Sequence, residues 1–529
     1  EILLVAPSLT SLTVNDAKIT SIGLGAFSGS ARLRSVNIPS VTRVGNYAFS
    51  ECENLSDIQL GKLSYIGEYA FENTGLASFE FSGDVTIGEY AFSRSKVSTI
   101  IIGDGLTVPR GAFANCTKLA TVVIGDNVTI GEYAFYNDQY HAESYRVVRK
   151  VYNSSTGRQE NKEFAIYYIV MDSPLTSLTI GDNVTLLEGA FYGAARLETI
   201  SLGSGAHIGD KAFYNCASLT NIDLSRVLTI GESAFSGDVH YEYTSENYTS
   251  VDINENGEYT YRYYSPAFTS IDLSSLTEIG ETAFALCKKL EKVPLGSSLK
   301  TIANGAFQYC DILSEVNLDE VVKVGAYAFA EDAITSLELP KATVIGEYAF
   351  CYNEELTKVV LSDSGAHVGE GAFSYCESLV DLQGEENSAY IGDYVFAYTA
   401  ITSVDLSKAQ YLGTHAFYKD TLTSFEVILS SELTDIGDNP FANCIVAPLS
   451  SEKSETFLDQ EYTEEIFTFD LSDNIKIIDG SIYRVVPNGL ELTTYIGLDK
   501  DGKSLDKDDV KVDERTVRIS GLAFVGADI

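Results

Sequence analysis

Histidines, cysteines and carboxylates are the groups with which this chain could do chemistry, and their spacing argues against catalysis. Of the five histidines, His207 and His367 occupy one recurring slot (GAHIG and GAHVG), so they belong to a repeated framework. His141, His240 and His415 stand apart from it. No H-x-x-H, H-E-x-x-H, G-x-S-x-G or phosphate-cradling G-x4-G-K pattern occurs, so the spacings that hold zinc, raise a serine nucleophile or wrap a phosphate are missing. A reaction needs a nucleophile, a base and an orienting group together. None is assembled here, so neither enzyme activity nor a cofactor is expected. Asp252-x-Asn254-x-Asn256-Gly257 copies the first half of a calcium loop, but Tyr263 stands where the bidentate glutamate belongs. A hairpin turn accounts for the same residues, and no metal is expected. Cys52, Cys116, Cys216, Cys287, Cys310, Cys376 and Cys444 each follow a phenylalanine by three positions, in a slot that elsewhere holds Ser30, Thr74, Ser95, Ala194 or Thr399. Such a slot wants a small buried side chain, which a free thiol supplies.

The chemistry that remains is that of recognition. Tyrosine gathers in two segments. The first holds Tyr140, Tyr145, Tyr152, Tyr167 and Tyr168, together with Arg146, Arg149, Lys150, Arg158 and Lys162. The second holds Tyr241, Tyr243, Tyr248, Tyr259, Tyr261, Tyr263 and Tyr264. Tyrosine offers stiff, amphipathic area and is enriched where proteins bind one another. Tyr145, Tyr152, Tyr167, Tyr168, Arg146 and Arg149 of the first segment, and all seven tyrosines of the second, are therefore the candidate partner-binding residues. The alternative is that these tyrosines pair across strands and only stabilise their own segments.

The elements that must position them follow from a period. Phenylalanine, nearly always after alanine, recurs at 27, 49, 71, 92, 113 and 135, at 191, 213 and 235, and at 284, 307, 329, 350, 373, 396, 417 and 441. Within each run the interval is 21 to 24 residues. That range marks a solenoid, whose units bury their apolar faces only against each other. In residues 119–141, Leu119, Val122 and Ile124 form an L-x-x-L-x-L frame, which reads as a short strand. Gly125-Asp126-Asn127 turns the chain, Val128 and Ile130 re-enter the core, and Glu132 to Phe135 reads as a short helical or 3₁₀ turn. Stacked units predict a parallel sheet on a concave face and irregular turns on the convex one. The outward strand positions carry Ser11, Thr13, Ser177, Thr179, Asp223, Asp272, Glu338 and Asp405, with Ile101 and Val123 as one apolar spot. A solvated face is expected there, with a docking face as the alternative.

The period breaks twice, from Phe135 to Phe191 and from Phe235 to Phe284. Residues 138–173 read as a hairpin of Ser144–Tyr152 and Lys162–Val170, and residues 238–267 as another with its turn at Asn254–Gly257. Both leave the repeat at the same point, after the phenylalanine, so both project from the same edge of the solenoid. Residues 1–445 are thus expected to be solenoid and 446–529 an irregular C-terminal region. That region holds a strand at 466–471, a hairpin around Pro487-Asn488-Gly489 and a partial repeat at 516–524.

The units VTRVGNYAFSEC (41–52), VTIGEYAFYN (128–137) and LTEIGETAFALC (276–287) closely resemble the BspA-like leucine-rich repeats of secreted or surface-attached proteins. The resemblance covers roughly residues 9 to 445. It implies a right-handed, curved solenoid, a secreted or cell-surface location, and adhesion to host or microbial proteins or glycans. A passive spacer within a longer surface protein is the alternative.

Charge narrows the partners. With 36 basic and 75 acidic residues the formal net charge is −39, which disfavours nucleic acid and anionic lipid. No apolar run is long enough to insert into a membrane. The chain opens on Glu1 without a leader-like run, as expected of a processed protein or an excised piece.

Overall fold

The structure, a computed structural model, describes residues 8–15, 17–81, 83–137, 140–153, 158–171, 173–241, 243–244, 261–419, 423–430, 432–442, 444–451, 469–470, 475–478, 481–487, 489–495, 512–520 and 523–524. It is a parallel-strand β-solenoid of about 17 coils with almost no helix. The chain forms two compact units. One spans residues 1–278 with 283–289, and the other 279–282 with 290–529.

Each coil contributes two strands and a hydrogen-bonded turn. In the first unit the L-x-x-L-x-L frames Ser78–Phe81, Thr99–Ile102, Thr121–Ile124, Ser177–Ile180, Thr199–Leu202 and Asn221–Ile222 form one six-stranded parallel sheet. Their register is strict: Val122 pairs with Ile100 on one side and Leu178 on the other. The apolar members of each frame are buried, as a period of two demands of a half-covered strand. The second strand of each coil is two residues long. Thr107–Val108, Thr129–Ile130, Thr185–Leu186, His207–Ile208 and Thr229–Ile230 are its representatives here. Glycine follows three of them, as Gly131, Gly209 and Gly231, because the previous coil passes too close for a Cβ. At Gly131 a Cβ would lie 2.7 Å from the Val108 carbonyl oxygen.

The Ala-Phe turn departs from expectation. It is neither α nor 3₁₀. The residue two before the phenylalanine is left-handed, and in most coils so is the residue two after it, as at Tyr47 (φ 56°) and Glu51 (φ 60°) around Phe49. Amide bonding alternates. Ala48 and Ser50 donate to carbonyls three residues back, while Tyr47, Phe49 and Glu51 donate to Glu68, Ala70 and Glu72 of the next coil. Half of the turn's N–H groups therefore serve stacking, and a helix would have spent them within the coil. Phenylalanine fills the centre: rings from Phe27 to Phe284 stack coil upon coil in the first unit, with centroids 4.9–5.5 Å apart. Burying each of these rings stabilises a coil by about 2–3 kcal/mol.

In the second unit seven second-strands pair in parallel, from Thr301–Ile302 to Asp435–Ile436. Phe307 to Phe441 make a ring stack of their own. The 3₁₀ turn Glu385–Asn387 is the helical element among the described residues. First-strand pairing runs on to Cys444–Ser451. A five-stranded sheet then follows. Within it Phe469–Asp470 pairs antiparallel with Ile475–Ile478, so it does not restore the parallel ladder. Ser481–Val486 and Gly489–Thr494 make the expected hairpin. Thr516–Ile519 returns to parallel pairing, as a partial repeat should. Arg484 fastens this sheet to the last coil: its guanidinium donates to the Ile436 carbonyl and stands between Asp435, Asp438 and the buried Glu491.

Candidate functional site

Neither insertion disturbs the stack beneath it. Thr121–Ile124 pairs directly with Ser177–Ile180 across the first, and Phe135 stacks on Phe191 at 4.9 Å. Phe235 stacks on Phe284 at 5.3 Å across the second. The phenylalanine stack continues across both insertions, which are additions to it.

The first insertion is a hairpin longer than the sequence suggested. Tyr140–Asn153 and Arg158–Met171 pair antiparallel over all 14 residues. Such strands extend about 45 Å. Tyr145 lies opposite Ile166, Arg146 opposite Ala165, Arg149 opposite Lys162, and Tyr152 opposite Gln159. Tyr167 and Tyr168 lie opposite Ser144 and Glu143. In the second insertion Asp238–Tyr241 pairs antiparallel with Tyr261–Tyr264, which sets Tyr241 opposite Tyr261, Val239 opposite Tyr263 and Asp238 opposite Tyr264. Tyr248, Tyr259 and the turn at Asn254–Gly257, with its calcium-like residues, lie outside the described residues.

The sequence did not reveal that the insertions meet. Tyr243 and Thr244 pair antiparallel with Tyr167 and Ile166, so a strand of the second insertion adds to the hairpin of the first. Two coils that project from one edge bring their excursions close enough to share main-chain hydrogen bonds. Tyr243 thus shares one three-stranded sheet with Tyr145, Tyr152, Tyr167 and Tyr168, while Tyr241, Tyr261, Tyr263 and Tyr264 lie on the two-stranded sheet whose strands precede and follow it in the chain.

Below the roots of both insertions, on the turn face of the first unit, lies an open groove of about 840 Å³. Arg110, Tyr133, Tyr136, Tyr192, Lys211 and Tyr214 line it. Tyr192 stacks on Tyr214 at 5.1 Å, and Tyr136 meets Tyr192 edge-on at 5.7 Å. The Tyr133 hydroxyl donates to Glu188 of the next coil, and that bond, with burial behind it, pushes the phenol up to about 12. Its ring occupies the space over Gly189, where a Cβ would lie 2.4 Å from Cε1. The second unit repeats the device with Tyr348, Glu370 and Gly371. These glutamates, three before the phenylalanine, are thus hydrogen-bond acceptors as well as solvated charges. The tyrosines immediately after the phenylalanine, Tyr136, Tyr192 and Tyr214, were the signal for this groove in the sequence: one slot, three consecutive coils.

A second groove, of about 640 Å³, crosses the short second-strand sheet of the second unit. His367, Tyr390 and Tyr411 stack along it at 3.9 and 4.5 Å, flanked by Glu347, Glu370 and Asp393. Burial lowers the His367 pKa. Because each inner ring face is covered by its neighbour, the column offers edges and hydroxyls rather than a stacking platform. Ile101 is 38% exposed on the first-strand face and pairs with Val123, a spot too small to mark an interface by itself.

The thiol slot has a structural purpose. Cys116 donates to the Phe92 carbonyl at 3.2 Å and Cys376 to that of Phe350 at 3.2 Å, satisfying an acceptor one coil back. None of the eight cysteines, all of them among the described residues, is in a disulfide. Burial pushes the Cys116 and Cys216 thiols up to about 12. Among the described residues no cluster of three or more histidine, cysteine or acidic side chains is arranged to hold a metal. Among the same residues no helix is long and apolar enough to cross a membrane.

Coils of two parallel strands and a turn, packed around a phenylalanine stack, define a leucine-rich-repeat solenoid, a class of scaffold that typically binds rather than catalyses. The profile described as a BspA type leucine rich repeat region (6 copies) matches residues 20–142, 167–259, 255–342 and 322–447, and the chain belongs to that family. Among solved structures it is similar to a leucine-rich repeat protein from Bacteroides ovatus, at 19% identity over 75% of this chain and 86% of that one, with a TM-score of 0.42. It is also similar to the pneumococcal vaccine antigen PcpA, at 17% identity over 67% and 84%, TM-score 0.30. A leucine rich cell surface protein from Faecalibacterium prausnitzii matches at 18% identity over 70% and 87%, TM-score 0.26. No curated protein matches the sequence.

Proposed function

We propose that this chain is a secreted or cell-surface adhesion protein that engages a protein or glycan partner through its two tyrosine-rich insertions. The observation that carries the reading is the pairing of Tyr167 with Tyr243. Two unrelated loops would have no reason to share a ladder. Joined, they make a single extended surface on a base whose stacking continues undisturbed beneath them. The tyrosine-lined groove at their roots adds aromatic edges, hydroxyls and the cations Arg110 and Lys211 to the same region. Adhesion and surface location come from the family; the residues proposed to act are Tyr145, Tyr152, Tyr167, Tyr168, Arg146 and Arg149, with Tyr241, Tyr243, Tyr248, Tyr259, Tyr261, Tyr263 and Tyr264.

The test is binding of the purified chain to an array of host matrix proteins, mucins and glycans, beside a form lacking residues 240–264. A hit lost with the deletion supports the reading. A hit that survives moves recognition to the strand face or the root groove. No hit from a correctly folded sample favours a passive spacer.

A further inference from the structure

The joined sheet has an order, and the order leaves one long strand on the outside. Arg158–Met171 is paired with Tyr140–Asn153 on one side and with Tyr243–Thr244 on the other. Among the described residues, Tyr140–Asn153 is paired on one side only. Its alternate residues therefore turn N–H and C=O groups outward along 14 residues. The described sheets of the solenoid have no edge strand of that length beside them: their members run two to eight residues. A strand edge left unpaired is a template for another strand, and proteins that do not use one usually shorten, bulge or cover it.

The composition of the strand says what fits. Residues 140–153 carry Arg146, Arg149 and Lys150 against a single carboxylate, Glu143, in a chain whose formal charge is −39. Two copies meeting edge to edge near the strand centre would set these cations against each other, so self-pairing is opposed. An acidic strand meets the opposite charge and the open hydrogen bonds at once. We infer that the outer edge of Tyr140–Asn153 binds an extended acidic peptide segment of a partner protein by β-strand addition. The mode draws affinity from main-chain hydrogen bonds and selectivity from charge at alternate positions. The inference rests on the recognition reading above and names the partner class for it.

The probe is a fluorescent peptide about as long as the strand, alternating valine with glutamate, titrated into the full chain and read by anisotropy. Two further peptides serve as comparisons: one alternating valine with lysine, and the acidic peptide N-methylated at every second amide. The acidic peptide is expected to bind and to weaken as salt is raised. The N-methylated form should bind at least about ten-fold more weakly, because several edge hydrogen bonds are lost. Arg146→Glu with Lys150→Glu, which share one face of the strand, should abolish binding of the acidic peptide and admit the lysine peptide. Equal binding of the methylated and unmethylated peptides would overturn strand addition, and so would equal binding of the acidic and basic ones. A chain that keeps its array hit but ignores the acidic peptide also overturns the edge inference, while leaving the recognition reading intact. A dimer formed through this edge, seen by sedimentation and lost in the double variant, would replace the acidic peptide with a second copy.

Discussion

Gly371→Ala is expected to destabilise its own coil out of proportion to one methyl group. Gly371 sits two before Phe373 with φ 59°. The left-handed backbone is not the main obstacle, since Tyr327, Tyr348 and Tyr394 hold the same slot at φ 53–56°. For alanine it costs about 1 kcal/mol. The obstacle is the Tyr348 ring: a Cβ on residue 371 would lie 2.3 Å from its Cε1 and 2.5 Å from its Cδ1. The ring must swing away. It then loses its stack on Tyr327, at 5.2 Å, and its hydroxyl bond to Glu370. The stack contributes about 0.5–1.5 kcal/mol, and an exposed bond to a carboxylate about 1 kcal/mol. The total is roughly 3 kcal/mol. Tyr348→Ala removes the ring in advance, so Gly371→Ala should cost only about 1 kcal/mol in that background. Hydrogen exchange of amides 344–374, read by mass spectrometry, reports this local opening directly. A second readout is the Tyr348 phenol, held above its ordinary value by burial and by the Glu370 bond. It should titrate lower in Gly371→Ala. Additive free energies in the double variant would refute the reasoning.

Three further outcomes follow from single side chains. Asn353 takes the thiol slot with a fuller set of bonds, donating to Phe329 and Phe350 carbonyls at 2.7 and 2.9 Å and accepting from the Ile334 N–H at 3.0 Å. Asn353→Ala should cost about 3 kcal/mol in urea unfolding, and Asn353→Cys less, because a thiol in this slot reaches the carbonyl one coil back; equal losses would contradict that role. Glu385 is 7% exposed, and burial raises its carboxyl from 4.5 to about 7. Its folded pKa lies above the unfolded one, so its stabilising proton is present below pH 4.5 and lost as pH rises through about 7. Glu385→Gln should therefore be the more stable protein above pH 7, by up to roughly 3 kcal/mol, and no difference in thermal melts at pH 8 would count against the assignment. The Cys116 and Cys216 thiols, at about 12, should resist a disulfide reagent at pH 8 until denaturant is added, and rapid labelling of the folded chain would show the slot to be open.

What the sequence shows of this protein is what repeats. The phenylalanine spacing and the L-x-x-L-x-L frames are packing constraints imposed once per coil, so each coil restates them and the stack becomes legible. The left-handed turns were hidden because tyrosine fills a slot whose conformation usually asks for glycine. Gly25, Gly111, Gly189, Gly305 and Gly371, alternating with tyrosine in that slot, were the trace of it. The Tyr133–Glu188 bond is hidden in the sequence for another reason: its partners are 55 positions apart and become neighbours only when the insertion is set aside. The joining of the two insertions was beyond any local pattern. Its register, Tyr167 to Tyr243, is fixed by where two separate coils release the chain, and such a distance is a property of the stacked solid rather than of either segment.

The insertions are proposed to act as one recognition surface. The most direct measurement is the affinity of an array-identified partner for four forms of the chain: intact, lacking 140–171, lacking 240–264, and lacking both. If the sheet is one surface, either single deletion should lose nearly as much affinity as the double. Independent, additive losses, or full affinity in the double deletion, would contradict it.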